Sequence, residues 1–80
     1  MAVVTLYTKP ACSLCDDARE ALLRVQKGQP FELEDVNVED DPALFAEYGE
    51  QIPVVLLNGT FLFEYHIDEA RLRQLLREIH

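Results

Sequence analysis

Two cysteines in 80 residues are too few for a disulfide scaffold, and three glycines with four prolines are too few for a low-complexity or collagen-like chain. No apolar run exceeds four residues, as at Val54 to Leu57, far short of the roughly 18 that cross a bilayer. Met1 to Tyr7 lacks the basic start of a signal peptide, so a soluble, cytoplasmic protein is expected. Basic residues are scarce too: seven Lys and Arg face 15 Asp and Glu, a formal charge of −8. That balance repels phosphate backbones and anionic lipid, which removes nucleic acid and membrane surfaces from the expected partners. The shortage is concentrated, because no Lys or Arg occurs between Lys27 and Arg71 while eleven acidic residues do, from Glu32 to Glu69. A solvated surface accounts for most of that stretch, and selection of a basic partner is the sharper alternative.

What is present is a globular composition, 49% apolar and 28% charged. One domain over residues 1–80 is expected, a monomer that buries roughly 60% of its unfolded surface. No internal repeat or linker interrupts it.

The β-branched and aromatic residues Ala2 to Tyr7 predict a buried strand ending at Lys9-Pro10. Leu14, Ala18, Ala21, Leu22 and Val25 fall at helical spacing, and Gly28 followed by Pro30 stops that helix. Phe31 to Val38 is the next strand, and its alternation slips phase between Leu33 and Val36, which suggests a bulge. Asp41 as N-cap, Pro42 at the first position and Gly49 past the end enclose a short helix carrying Leu44, Phe45 and Tyr48. Asn58-Gly59 between Val54 to Leu57 and Thr60 to Tyr65 is a strong hairpin signal, since both residues tolerate positive φ. A last helix starts at the N-cap Asp68 and carries the stripe Leu72, Leu75, Leu76 and Ile79, with Ile67 and Leu72 as a hydrophobic staple. The order is β-α-β-α-β-β-α, an α/β fold in which a right-handed βαβ unit makes the first two strands parallel and the hairpin completes a mixed four-stranded sheet flanked by three helices.

Cys12-Ser13-Leu14-Cys15 lies where the first strand gives way to the first helix, the context in which a C-x-x-C reads as a redox dithiol. Free backbone N–H groups and the helix dipole stabilise a thiolate at Cys12, and Lys9 adds positive charge nearby. Cys15, Ala18, Leu22 and Val25 share the face that packs on the sheet, so Cys15 is the shielded partner. Cys12 then attacks a substrate disulfide and Cys15 resolves the mixed disulfide. Asp16 and Asp17 oppose thiolate formation, and Ser13 with Asp16 matches a capping box, so the thiol pKa is expected below the ordinary range but not extreme. Two plainer readings stand beside this one. A staple would close a loop of about four residues, worth only ~2 kcal/mol on the chain-entropy model. A structural zinc site wants four ligands, and only His66 and His80 remain.

Over essentially its whole length the chain resembles the glutaredoxin and thioredoxin superfamily, and within it the short bacterial glutaredoxin-like proteins. Tyr7-Thr8-Lys9-Pro10-Ala11-Cys12-Ser13-Leu14-Cys15 is similar to the glutaredoxin active-site segment, Ile52-Pro53-Val54 to its cis-proline loop, and Asp68 to the acidic residue that opens its last helix. The resemblance implies a thioredoxin-like fold and a thiol-disulfide oxidoreductase whose redox-active disulfide is Cys12–Cys15, with no metal and no bound organic cofactor. It also implies a cis Ile52–Pro53 bond in a loop facing the dithiol, where Ile52 and Pro53 offer backbone to a substrate segment in the manner of strand addition; Lys9, with its charge, is the third expected substrate-binding residue. Without the resemblance, Ile52-Pro53 is a plain turn. Two departures matter. Ser13-Leu14 replaces the family's usual Pro-Tyr, and Glu64-Tyr65 stands where the family's paired glycines hold the γ-glutamyl group of glutathione. Weak glutathione binding is therefore expected, and His66, beyond that pair, is a capping residue or a proton shuttle. The expected partner is a protein disulfide, with a thioredoxin-reductase-type flavoprotein or glutathione as electron donor. The rivals are a glutathione-linked glutaredoxin and a non-catalytic redox-fold adapter or metal-binding module.

Overall fold

The computed structural model describes residues 1–79. Its elements are β1 (Val3–Thr8), α1 (Ser13–Gly28), β2 (Glu32–Asn37), a 3-10 turn (Val38–Asp40), α2 (Pro42–Tyr48), β3 (Val54–Leu57), β4 (Thr60–Glu64) and α3 (Glu69–Glu78). They form one mixed sheet in the order β2-β1-β3-β4, with three helices. This is the thioredoxin-like arrangement. β1 runs parallel to β2, with Val3 opposite Glu32 and Thr8 opposite Asn37, and antiparallel to β3, with Tyr7 opposite Val54.

Alternation along β1 divides the interior. Ala2, Val4 and Leu6 point into a cluster with Ala18, Leu22 and Val25 of α1, Val55 of β3, and Leu72 and Leu76 of α3. Tyr7 belongs instead to a second cluster, with Cys15, Val38, Ile52, Val54 and the α2 residues Leu44 and Tyr48. That second cluster lies at the carboxyl end of β1, where the chain turns into α1, and it underlies the cysteines.

The caps and turns follow local chemistry. Asp41 accepts from the Ala43 and Leu44 amides at 2.9 and 3.3 Å, Pro42 opens α2, and Asp68 accepts from the Arg71 amide at 3.0 Å. Asn58 (φ 51°) and Gly59 (φ 84°) both adopt the left-handed conformation that a tight hairpin needs. Asn58 also closes the sheet, because its side-chain oxygen accepts from the Val3 amide at 2.8 Å.

Four expectations are corrected. β2 pairs without interruption and holds no bulge; the register shift falls in the hairpin, between Val55 and Leu56. The phase slip arises because Phe31 precedes β2 and Val38 lies in the 3-10 turn, leaving an acidic edge strand with no strict alternation to keep. The stripe of α3 narrows to Leu72 and Leu76, while Ile79, past the end of the helix, is 46% exposed. Leu14 and Phe45 face outward. The capping box is not formed, for reasons that belong to the site.

Candidate functional site

The N-cap of α1 is Cys12 rather than Ser13. Its extended backbone (φ −113°, ψ 107°) turns the sulfur back over the first turn, and Sγ accepts from the Cys15 amide at 3.2 Å. Ser13 is already helical, and Asp16 turns away to pair with Arg19 at 3.0 Å. One of the unsatisfied amides of the helix start is thus aimed at the sulfur, the arrangement that stabilises a thiolate there. Ala11, the residue before, holds φ at 57°, a left-handed conformation unusual for alanine.

Cys12 and Cys15 are joined as a disulfide, with Cα atoms 5.2 Å apart. Their exposures differ as expected from the helical spacing. Cys15 is 1% exposed and packed against Val38, Ile52 and Val54, whereas Cys12 sits at the partly open rim of that cluster. Beneath them the Tyr7 and Tyr48 rings lie 5.0 Å apart at 38°, and burial raises the Tyr48 phenol above its ordinary pKa, so it is neutral at pH 7.

Ile52 and Pro53 are buried beside the cysteines, and the bond between them is cis. The carbonyl of Pro53 accepts from the Tyr65 amide at 2.8 Å, which ties this loop to the end of β4. Lys9 is exposed and lines a cleft of about 570 Å³ with Phe45, Glu47, Glu50, Gln51 and Tyr65. The structure thus brings four of the five expected site residues, Cys12, Cys15, Ile52 and Pro53, to one end of the sheet, with Lys9 on the adjoining cleft. His66 lines a different, smaller cleft with Asp17, Arg24 and Glu69. Among the described residues no group of three or more His, Cys, Asp or Glu converges where a metal would sit. His80, the other histidine of the zinc alternative, lies outside the described residues.

One contributor escaped the sequence. Thr8, buried at the end of β1, donates to Asp35 at 3.1 Å, and Asp35 in turn accepts from Arg19. This chain links β1, β2 and α1, and nothing in a Thr, an Asp and an Arg so far apart in sequence announces it. The Asp35 and Asp16 carboxylates raise the pKa of Arg19 further, so its charge is permanent. Tyr65, which the resemblance sets where the family has a glycine, holds φ at 65°, a conformation glycine adopts freely.

The profile of the glutaredoxin-like domain matches residues 3–77. An uncharacterized protein of Mycobacterium tuberculosis is 33% identical over an alignment of 75 positions that covers 88% of this chain and 77% of that protein. The X-ray structure of a structural-genomics target protein from X. campestris superimposes with a TM-score of 0.76 at 33% identity, covering 94% of this chain and 96% of the other. A mutant thioredoxin from Halobacterium salinarum gives a TM-score of 0.70 at 20% identity, covering 96% and 73%, and shares the fold. No described helix is long and apolar enough to cross a membrane.

Proposed function

The chain belongs to the glutaredoxin-like domain family, and from that premise we propose that it is a dithiol oxidoreductase that reduces protein disulfides through Cys12 and Cys15. A thiol-disulfide redox role fits the family, the fold and the bonded pair. The finer reading rests above all on the asymmetry of that pair: one sulfur partly open at a helix N-terminus with an amide at 3.2 Å, the other 1% exposed.

In the reduced protein, the Cys12 thiolate attacks one sulfur of a substrate disulfide. A Cys12–substrate disulfide forms, the substrate bond breaks, and the departing thiolate takes a proton. Cys15 then loses its proton and attacks the Cys12 sulfur, closing Cys12–Cys15 and releasing the second substrate thiolate. Two electrons have passed from the dithiol to the substrate. They are restored by an external reductant, a thioredoxin-reductase-type flavoprotein or glutathione. Ile52 and Pro53 present backbone to the substrate strand, and Lys9 flanks it. Arg19 offsets the charge of Asp16, which otherwise opposes the Cys12 thiolate. No metal or bound organic cofactor takes part in these steps.

Insulin reduction tests the reading, with NADPH oxidation coupled through thioredoxin reductase in one arm and through glutathione with glutathione reductase in the other. Turnover is expected in the first arm and slower turnover in the second. Cys12→Ser should lower the rate by at least about three orders of magnitude, as loss of a nucleophile does. Cys15→Ser should accumulate mixed disulfides at Cys12. Iodoacetamide should label Cys12 ahead of Cys15. Insulin reduction no faster than the chemical background in both arms would leave only the adapter reading.

A further inference from the structure

Short as it is, α2 carries two apolar stripes. Leu44 and Tyr48, four apart, pack on the smaller core cluster. Pro42, Phe45 and Ala46, with Gly49 just past the end, fall at i, i+3, i+4 and i+7, the spacing of a second helix face. Phe45 is 48% exposed, and Pro42 and Ala46 are exposed beside it.

One exposed aromatic needs no explanation, but Phe45 lines two clefts. Toward the end of α2 it joins Ala46, Gly49, Gln51, Glu47 and Glu50 around a cleft of about 570 Å³. Toward the start it joins Pro42 and Glu39 around one of about 380 Å³. The two make a groove along the outer face of α2. Of the expected site residues only Lys9 lines it, so this surface is separate from the dithiol.

Charge decides what the groove accepts. The chain from β2 through β4 holds nine of the 15 carboxylates and no Lys or Arg, whereas α1 and α3 hold six cations against five carboxylates. The excess negative charge therefore lies with β2, α2 and the hairpin. Among the described residues no ion pair neutralises Glu39, Glu47 or Glu50. A second copy in a two-fold contact would set these carboxylates against themselves, and an anionic lipid surface meets the same repulsion. A basic polypeptide meets an apolar floor with carboxylates along it.

We propose that the outer face of α2 is a docking surface for a basic polypeptide segment, which sets a large apolar side chain against Phe45 and Pro42 and its Lys or Arg side chains against Glu39, Glu47 and Glu50. The apolar contact supplies affinity, and the carboxylates select the partner's charge and speed its approach.

The proposal is independent of the redox reading, and its test uses a probe without cysteine: a fluorescein-labelled peptide of about 12 residues, built from Lys, Ser and two Leu. Binding to the full chain is followed by anisotropy in about 0.15 M salt, where the Debye length is ~8 Å and nearby charges dominate. Amide chemical shifts locate the contact and should move at Phe45, Ala46, Gly49 and Glu50 while sparing α1 and α3. Phe45→Ser should weaken binding at least about tenfold, and so should Glu47→Lys combined with Glu50→Lys. Glu20→Lys combined with Glu78→Lys changes the net charge equally, on α1 and α3, and should weaken binding less than about twofold. A peptide with Ser for both Leu, or Glu for every Lys, should bind at least about tenfold more weakly. Absence of binding overturns the proposal. Equal losses from the two charge-reversed pairs, or undiminished binding of the Ser peptide, would show attraction to net charge alone and overturn it too. So would shifts confined to other surfaces, or self-association of the free chain that Phe45→Ser abolishes, which would give the face to a second copy. A chain that binds the peptide at α2 yet fails to turn over insulin keeps this surface and loses the reductase reading alone.

Discussion

The larger core cluster gathers ten buried side chains from β1, α1, β3 and α3 and the Phe31 approach to β2, all of them apolar and none of them a nucleophile. The smaller has four, and one of those is Cys15. Their rims differ in the same sense. Around the larger lie Leu33, Leu57, Leu62, Phe63 and Ile67; around the smaller lie Tyr7, Tyr48, Leu44 and Cys12 itself. One cluster supplies most of the area removed from water, and with it most of the stability. The other holds a sulfur out of solvent and a neighbouring loop in place with few side chains. A protein of this size thereby keeps its chemistry at the thin end of its core, where a change of reactivity does not require a change of fold.

The strongest way to break that division is to cut the larger cluster. Leu22 is fully buried on α1. Leu22→Ala should destabilise the protein by about 2–5 kcal/mol, the range for truncating a buried leucine. Urea unfolding measures the loss, and iodoacetamide labelling of Cys12 in the folded fraction should stay within about twofold of the parent. A large change in Cys12 reactivity with little loss of stability would mean that the two clusters act as one.

A cut in the smaller cluster should do the reverse. Val38 is fully buried in the 3-10 turn against Cys15. Val38→Ala removes less apolar surface, worth roughly 1.5–3 kcal/mol with its cavity. Its mark should be a higher ratio of Cys15 to Cys12 alkylation, because the shield over the resolving sulfur is thinned. A ratio unmoved by this substitution would place the shielding elsewhere.

How much of this was readable beforehand follows the same line. Strand, helix and hairpin order came from local signals: the spacing of Ala18, Leu22 and Val25, the Asp41-Pro42 start, the Asn58-Gly59 turn. The protected sulfur came from the same helical face. What periodicity does not encode is a sulfur acting as a helix cap, since Ser13 and Asp16 match the capping pattern better than Cys12 does. Nor does it encode where an edge strand stops alternating, as at Phe31 and Val38, or where a helix stripe runs past its last packing partner, as at Ile79. Contacts between residues far apart in sequence, Thr8 with Asp35 and Tyr65 with Glu50, are properties of the assembled sheet. The cleft beside Lys9 is lined by Tyr65 and Glu50 of the second of these contacts, so it too is a property of the folded chain.

The smallest effect expected concerns the surface above the larger cluster, where Glu69 at the start of α3 meets Arg24 of α1 at 2.9 Å and Arg73 at 3.4 Å. The hydrogen-bonded Arg24 guanidinium holds the Glu69 carboxyl below its ordinary pKa, and Arg73 adds to this. A carboxyl whose folded pKa is lowered favours folding fully above its unfolded value, about 4.3, and loses that contribution as pH falls through the folded value. Both partners reach solvent, so screening keeps the contribution small. Glu69→Gln should therefore lower Tm at pH 7 and low salt by at most a few degrees. The difference should shrink as pH drops below the ordinary carboxylate range, and it should shrink again in about 1 M salt, where the Debye length is ~3 Å. Thermal melts of parent and variant between pH 7 and 3 measure this. If the difference instead persists unchanged to pH 3, Glu69 serves through packing or as part of the α3 start, and the junction of α1 and α3 owes nothing to charge.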